Sequence, residues 1–296
     1  MTSSPLHQPE CLLDLRATLG EGPVWISSEK SLYFVDIPEA RIHRFTPATG
    51  AHESWSAPDR VAFLLPVEDG TFLAGMPDGL RRFDPKNGTF SDHKLVEPEK
   101  PGNRLNDGCV DPQGRLWFGT MDDGEEQPSG SIYRVVHEGD ALNLSHHDEG
   151  YTVSNGPAVS PCGKTLYVCD SPEQTIYAFD IQPDGALANE RVFARLEQGY
   201  PDGIVTDNEG TLWCGVWGGS RVMRFRPDGT ALPSIPMPVT NVTKVAFGGD
   251  DLKTVFVTTA RKGLDAETLT KEPQAGSLFV FRTDVAGAPQ QVFRLN

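Results

Sequence analysis

The chain has 296 residues with 38% hydrophobic content, 15 Phe and 5 Trp, enough to fill a sizeable core, and no Ser/Gly tract, charge block or composition shift marks a linker. One domain over 1–296 is therefore expected. Lys+Arg 26 against Asp+Glu 41 leaves a net charge of −15, which repels phosphate backbones and anionic membranes and argues against nucleic-acid or membrane partners.

In chain order, "MTSSPLHQPE" at 1–10 has neither a basic n-region nor an apolar h-region and reads as a disordered extension. No later run approaches the about 18 apolar residues of a membrane helix. "CLLDLRA" reads as a lone strand. "GEGPVW" (20–25) leads to "SLYFVD" and "RIHRFTPATG", and "VAFLLPVEDGTFLAG" (61–75) leads to "GLRRFDPKNG". Then come three copies of one phrase: "NRLNDGCVDPQGRLW" (103–117), "SNGPAVSPCGKTLY" (154–167) and "YPDGIVTDNEGTLW" (200–213). "NVTKVAFGGDDLKTVFVTT" and "SLFVFRTD" complete a sixth unit. The 30 Gly and 24 Pro punctuate these runs and leave little room for long helices. The cysteines, at 11, 109, 162, 169 and 214, form no Cys-x-x-Cys pair and mostly fall in apolar runs. Buried thiols of a reducing compartment account for them, so a cytoplasmic protein is expected.

Asn106, Asn155 and Asp202 each stand five residues before the turn opened by Asp111, Ser160 and Asp207. With half-buried alternating strands after each turn, six units starting near 21, 62, 106, 155, 202 and 244 predict an all-β, six-bladed β-propeller of four-stranded blades. "CLLDLRA" is expected to supply the missing strand of the last blade and close the ring.

In such a ring the first strand of every blade lines the central channel, and its starting residue emerges on one face. Here the heads are Glu21, Ala62, Asn106, Asn155, Asp202 and Thr243 or Lys244. Glu, Asp and Asn in a narrow channel require partners, because unpaired buried charge is costly. A cation supplies one. Oxygen donors suit a hard divalent ion such as Ca²⁺, Mg²⁺ or Mn²⁺, with Fe(II) or Zn²⁺ also possible. The competing reading of Pro201-Asp202-Gly203 is an ordinary turn, like Pro77-Asp78-Gly79. Arg104 is suited to a polyhydroxylated or carboxylate-bearing ligand, or else pairs with a surface acid. None of the seven His sits at a blade head, and there is no Gly-x-Ser-x-Gly elbow or phosphate loop.

Counting back from "KTVFV" to match "KTLYV" puts Lys244 where Asn155 stands, so its ammonium is expected in the channel, anchoring a substrate hydroxyl or a product carboxylate. A slip of one residue would instead face Thr243 inward and send Lys244 to solvent.

"LGEGPVW", "NRLNDGCVDPQGRLWFGTM", "SNGPAVSPCGKTLYVCDS", "YPDGIVTDNEGTLW" and "VTKVAFGGDDLKTVFVTTA" together resemble the gluconolactonase, regucalcin and senescence-marker-protein family, the bacterial xylonolactonases most of all. The resemblance runs from about residue 16 to the C-terminus. It implies one catalytic divalent metal on Glu21, Asn155 and Asp202, and substrate contacts from Arg104 and Asn106. It also implies an acid among Asp122, Asp123, Glu125 and Glu126 for substrate hydroxyls. The expected reaction opens the lactone of a sugar acid, a pentonolactone such as xylonolactone, with Asp202 taking a proton from the attacking water. A calcium-binding regulator without turnover and an arylesterase or phosphotriesterase are the alternatives. A monomer or weak homo-oligomer is expected.

Overall fold

The computed structural model describes residues 8–139 and 141–295. Of the expected N-terminal extension, residues 1–7 lie outside these, and Glu10 already opens a strand (Glu10–Leu13). Six antiparallel four-stranded sheets follow one another round an axis, a six-bladed β-propeller. The innermost strands are Gly20–Ile26, Phe63–Pro66, Asn103–Val110, Ser154–Val159, Tyr200–Thr206 and Asn241–Gly248, in blades 1 to 6. In blade 6 the fourth, outermost strand is Glu10–Leu13, paired with Leu278–Arg282, so the two ends of the chain lock the ring as "CLLDLRA" suggested.

Burial follows position. The innermost strand of blade 6 is buried along its whole length, whereas the outermost strand of blade 1, Ala51–Ser56, is almost wholly exposed. An inner strand is covered on both faces by neighbouring blades and the channel, so it reads as nearly continuous small and apolar residues. The core lies between blades, built of rings such as Trp117, Trp213, Phe72, Phe118 and Phe256.

The recurrent Asp-x-x-Gly-x-Leu-Trp phrase is a turn with a buried staple. Asp111 accepts the backbone N–H groups of Gln113 and Arg115 on one oxygen and the Trp117 indole N–H at 2.9 Å on the other. Asp207 does the same with Glu209, Thr211 and Trp213. In blade 4 Ser160 takes this position and Tyr167 replaces the Trp; the hydroxyl accepts from Lys164 and Thr165.

A six-residue helix, Ala266–Lys271, lies between the second and third strands of blade 6. After blade 6 the tail crosses the far end of the channel: Asp207 bridges Gly287, Phe293 bridges Val67, and Arg294 donates its N–H to the Gly114 carbonyl. Among the described residues no helix is long and apolar enough to cross a membrane.

Candidate active site

Five inner strands carry a β-bulge at one height: between Glu21 and Val24, Leu105 and Gly108, Asn155 and Ala158, Pro201 and Ile204, and Val242 and Val245. A bulge inserts an unpaired residue and re-aims side chains, here into the channel. It also corrects the register counted from the turns. Asn106 and Asp202 are the first residue inside their bulges, but Asn155, like Glu21, stands just before its own. One residue fewer separates bulge from turn in blade 4, so the constant offset of five concealed a shift of one.

The same comparison relocates Lys244. It is the second residue of its bulge, equivalent to Asp107 and Gly203 rather than to Asn155. Thr243 does face inward, donating to the Gly20 carbonyl at 2.6 Å. Lys244 nevertheless does not go to solvent: its Nζ sits 2.7 and 2.6 Å from the two oxygens of Asp107, in blade 3. Its stem passes over Gly203, where a Cβ would lie 2.4–2.6 Å from Lys244 carbons.

Glu21, Arg104, Asn106, Asn155 and Asp202 line one cavity of about 440 Å³ on the face where the inner strands begin. Lys244 is not among them; with Asp107 it lines a separate space of about 150 Å³ toward the tail. Two of the three N–H donors of this ammonium are spent on Asp107. The residue expected to anchor substrate thus lines the space toward the tail and not the larger cavity.

A chain of hydrogen bonds orders one wall. Asp123 accepts from Arg104 Nε at 2.9 Å; Arg104 Nη1 donates to Asn106 Oδ1 at 2.8 Å; Asn106 Nδ2 donates to Asn155 Oδ1 at 2.9 Å. Asn155 Nδ2 then donates to Ser171 Oγ, whose hydroxyl donates to the Pro201 carbonyl beside Asp202. Each amide is thereby fixed, with its oxygen one way and its nitrogen the other.

Glu21 is bound on one side only. Its Oε2 accepts the Gly22 N–H at 2.7 Å, while Oε1 is buried with no hydrogen-bond partner. Burial, then the charge of Asp107, pushes Glu21 up to about 8. Burial, followed by the charges of Glu21 and Asp107, raises Asp202 well above the carboxylate range. Burial works against the Lys244 ammonium, but Asp107 and Glu21 outweigh it and its pKa rises. Burial also raises Asp107 against the pull of Lys244; two contacts under 2.8 Å to one Nζ are the geometry of a charged pair.

A divalent cation fits these donors. An orphaned buried carboxylate oxygen, a second carboxylate and an amide oxygen open onto one cavity, and buried carboxylates without partners are costly unless a positive charge joins them. Among the described residues no group of three or more His, Cys, Asp or Glu is placed to hold a metal; the set here is two carboxylates and an Asn oxygen.

Residues 19–261 match the SMP-30/Gluconolactonase/LRE-like region. The chain belongs to that family. It is 37% identical to the L-arabinolactonase of Azospirillum brasilense over 96% of this chain and 94% of that one. It is 34% identical to the regucalcin of Oryctolagus cuniculus over 91% and 92%. Among solved structures, a calcium-binding protein, regucalcin, from Agrobacterium tumefaciens superposes with a TM-score of 0.92 at 30% identity, covering 98% of both chains.

In this SMP-30/gluconolactonase-family propeller several cavity residues escaped the sequence. Ser171, Tyr200 and Trp217 come from strand ends and connections of blades 4 and 5, Lys262 from the loop after the second strand of blade 6. Nothing in their local sequence marks them. Asp107 was hidden because Asn-Asp-Gly reads as a turn; the signal was its place beside Asn106 at a blade head. The acids at 122–126 separate clearly. Asp122 accepts the Glu126 and Gln127 N–H groups, Asp123 holds Arg60 and Arg104, and Glu126 is exposed. Glu125 alone of the four lines the cavity, where it accepts from Lys262 Nζ at 2.6 Å.

Proposed function

We propose that the protein is a metal-dependent lactonase that hydrolyses the lactone of a sugar acid, with a divalent cation held by Glu21, Asn155 and Asp202. The observation that carries this reading is the pairing of two under-neutralised buried carboxylates with an ordered Arg104–Asn106–Asn155 wall in one open cavity. A bound divalent cation supplies Lewis acidity for the lactone carbonyl. Arg104 and Asn106 orient the sugar hydroxyls, and Glu125 accepts a hydrogen bond from a hydroxyl at the rim. Asp202 accepts the proton of the attacking water. Ring opening then yields the free acid without a covalent nucleophile.

A pentonolactone is the favoured substrate, supported by relatives named L-arabinolactonase and pentonolactonase XacC, the latter 32% identical and from Haloferax volcanii. Five free thiols support a reducing, cytoplasmic location. Acid release from xylono-, arabinono-, galactono- and gluconolactone, before chelation, after it and after adding back Ca²⁺, Mg²⁺, Mn²⁺, Fe(II) or Zn²⁺, tests the proposal. The fastest turnover is expected on a pentonolactone, lost on chelation. No metal-dependent rate on any lactone would sink it. Tight Ca²⁺ binding without turnover would favour a regulator, as the regucalcin relatives suggest by name.

A further inference from the structure

The Lys244–Asp107 pair is a cross-channel contact between blades 6 and 3, which face each other across a ring of six. Both side chains are buried, at 9% and 4% exposure, and line the space on the tail side of the channel. Three carboxylates, Glu21, Asp107 and Asp202, thus share the channel with one ammonium. The electrostatic reach is explicit: Lys244 interacts with Glu21 and Asp202 as well as with its partner.

Such a lysine is hazardous to a cation site. A flexible four-carbon stem with a point charge moves to whichever carboxylate is free, and Glu21 Oε1 has no partner. Two features prevent this. Asp107 offers both oxygens, and its carboxylate is oriented by the Gly108 N–H, which donates to Oδ1 at 2.7 Å. Gly203, by lacking a Cβ, gives the lysine stem a track that leads to Asp107.

We propose that Asp107 is a positioning residue: by holding the Lys244 ammonium it keeps that charge off Glu21 and Asp202, leaving two negative charges for a divalent cation. This rests on the metal site proposed above. It differs from a plain structural strut, whose loss would loosen the site whichever partner were removed.

The test is calorimetric titration of chelated full-length protein with CaCl₂ and, separately, MnCl₂, using wild type, Asp107→Asn, Lys244→Met and the double variant, with near-UV circular dichroism as the folding control. Asp107→Asn frees the ammonium and should weaken divalent binding at least about tenfold, equivalent to about 1.4 kcal/mol. Lys244→Met should bind at least as tightly as wild type. The double variant, which removes both charges, should return to within about threefold of wild type. Unchanged affinity in Asp107→Asn overturns the proposal, and so does equal weakening in Asp107→Asn and the double variant, the mark of a strut. If Asp107→Asn does not fold, the other two decide: wild-type affinity in both supports the proposal, and a tenfold loss in either overturns it. Failure of wild type to take up either ion would refute the metal site itself, a separate result.

Discussion

Arg104 shows how much one side chain can do in a polar wall. Its Nε is spent on Asp123, and Nη1 reaches both the Leu105 carbonyl and Asn106 Oδ1. That leaves Nη2 for the cavity. Lysine, a point donor on a flexible stem, cannot hold two neighbours and a substrate at once. Arg104→Lys should therefore lower kcat/KM on the best lactone at least about tenfold, about 1.4 kcal/mol of transition-state stabilisation, while divalent affinity stays within about twofold of wild type. An unchanged kcat/KM would remove Arg104 from substrate contact. Residue types were legible here; partners were not. That Arg104 and Asn106 belonged to the site could be read from "NRLND", whereas their joint action on Asn155 of the next blade could not.

At the scale of the element, the bulge decides more than the strand. A regular strand sends alternate side chains to opposite faces, and under that rule Asn106 and Asp107 could not both serve the channel. The bulge lets the first reach the upper cavity and the second the ion pair below. Turn-based counting missed this, because loop lengths vary between blades while the bulge does not.

Blade 1 makes a different prediction. His43, on its third strand, is buried, with Nδ1 3.0 Å from His52 Nε2 on the fourth and its own Nε2 buried without a partner. Burial, then the neighbouring His52, depresses His43 to about 4 from its ordinary 6.5. Between those values the unfolded chain binds the extra proton, so stability rises with pH there. His43 contributes fully above pH about 6.5, and its contribution is lost as pH falls toward 4, up to about 3 kcal/mol. In urea unfolding, wild type should lose stability between pH 6.5 and 4 more steeply than His43→Phe. Parallel pH profiles for the two would dismiss the His pair as the source.

For the whole molecule, closure is the central fact. The first strand completes the last blade, and the C-terminal tail crosses beneath the ring to blades 2 and 3, where Phe293 is fully buried and its N–H donates to the Pro66 carbonyl. The tail thereby covers the end of the channel opposite the cavity. Phe293→Ala should destabilise the fold by about 3–5 kcal/mol, as other buried Phe truncations do. Because the tail lies away from the cavity, lactone turnover at low temperature should persist in the folded fraction. A loss below about 1 kcal/mol in urea unfolding would show that the tail is a loosely held strap.

The repeat is legible in the chain alone: its period, its alternation and the polar blade heads together specify six blades and bring Glu21, Arg104, Asn106, Asn155 and Asp202 to one mouth. These follow from local rules, since hydrophobic spacing and turn residues act over a few positions. Folding alone reveals which heads are equivalent, that Lys244 pairs with Asp107, that Glu125 rather than Asp122, Asp123 or Glu126 reaches the cavity, and that the tail covers the far end. Each of these joins residues far apart in the chain, 137 positions in the case of Lys244 and Asp107. A propeller brings such residues together only when the ring closes, and one-residue differences in turn length, invisible to a period of more than forty, set which atoms meet.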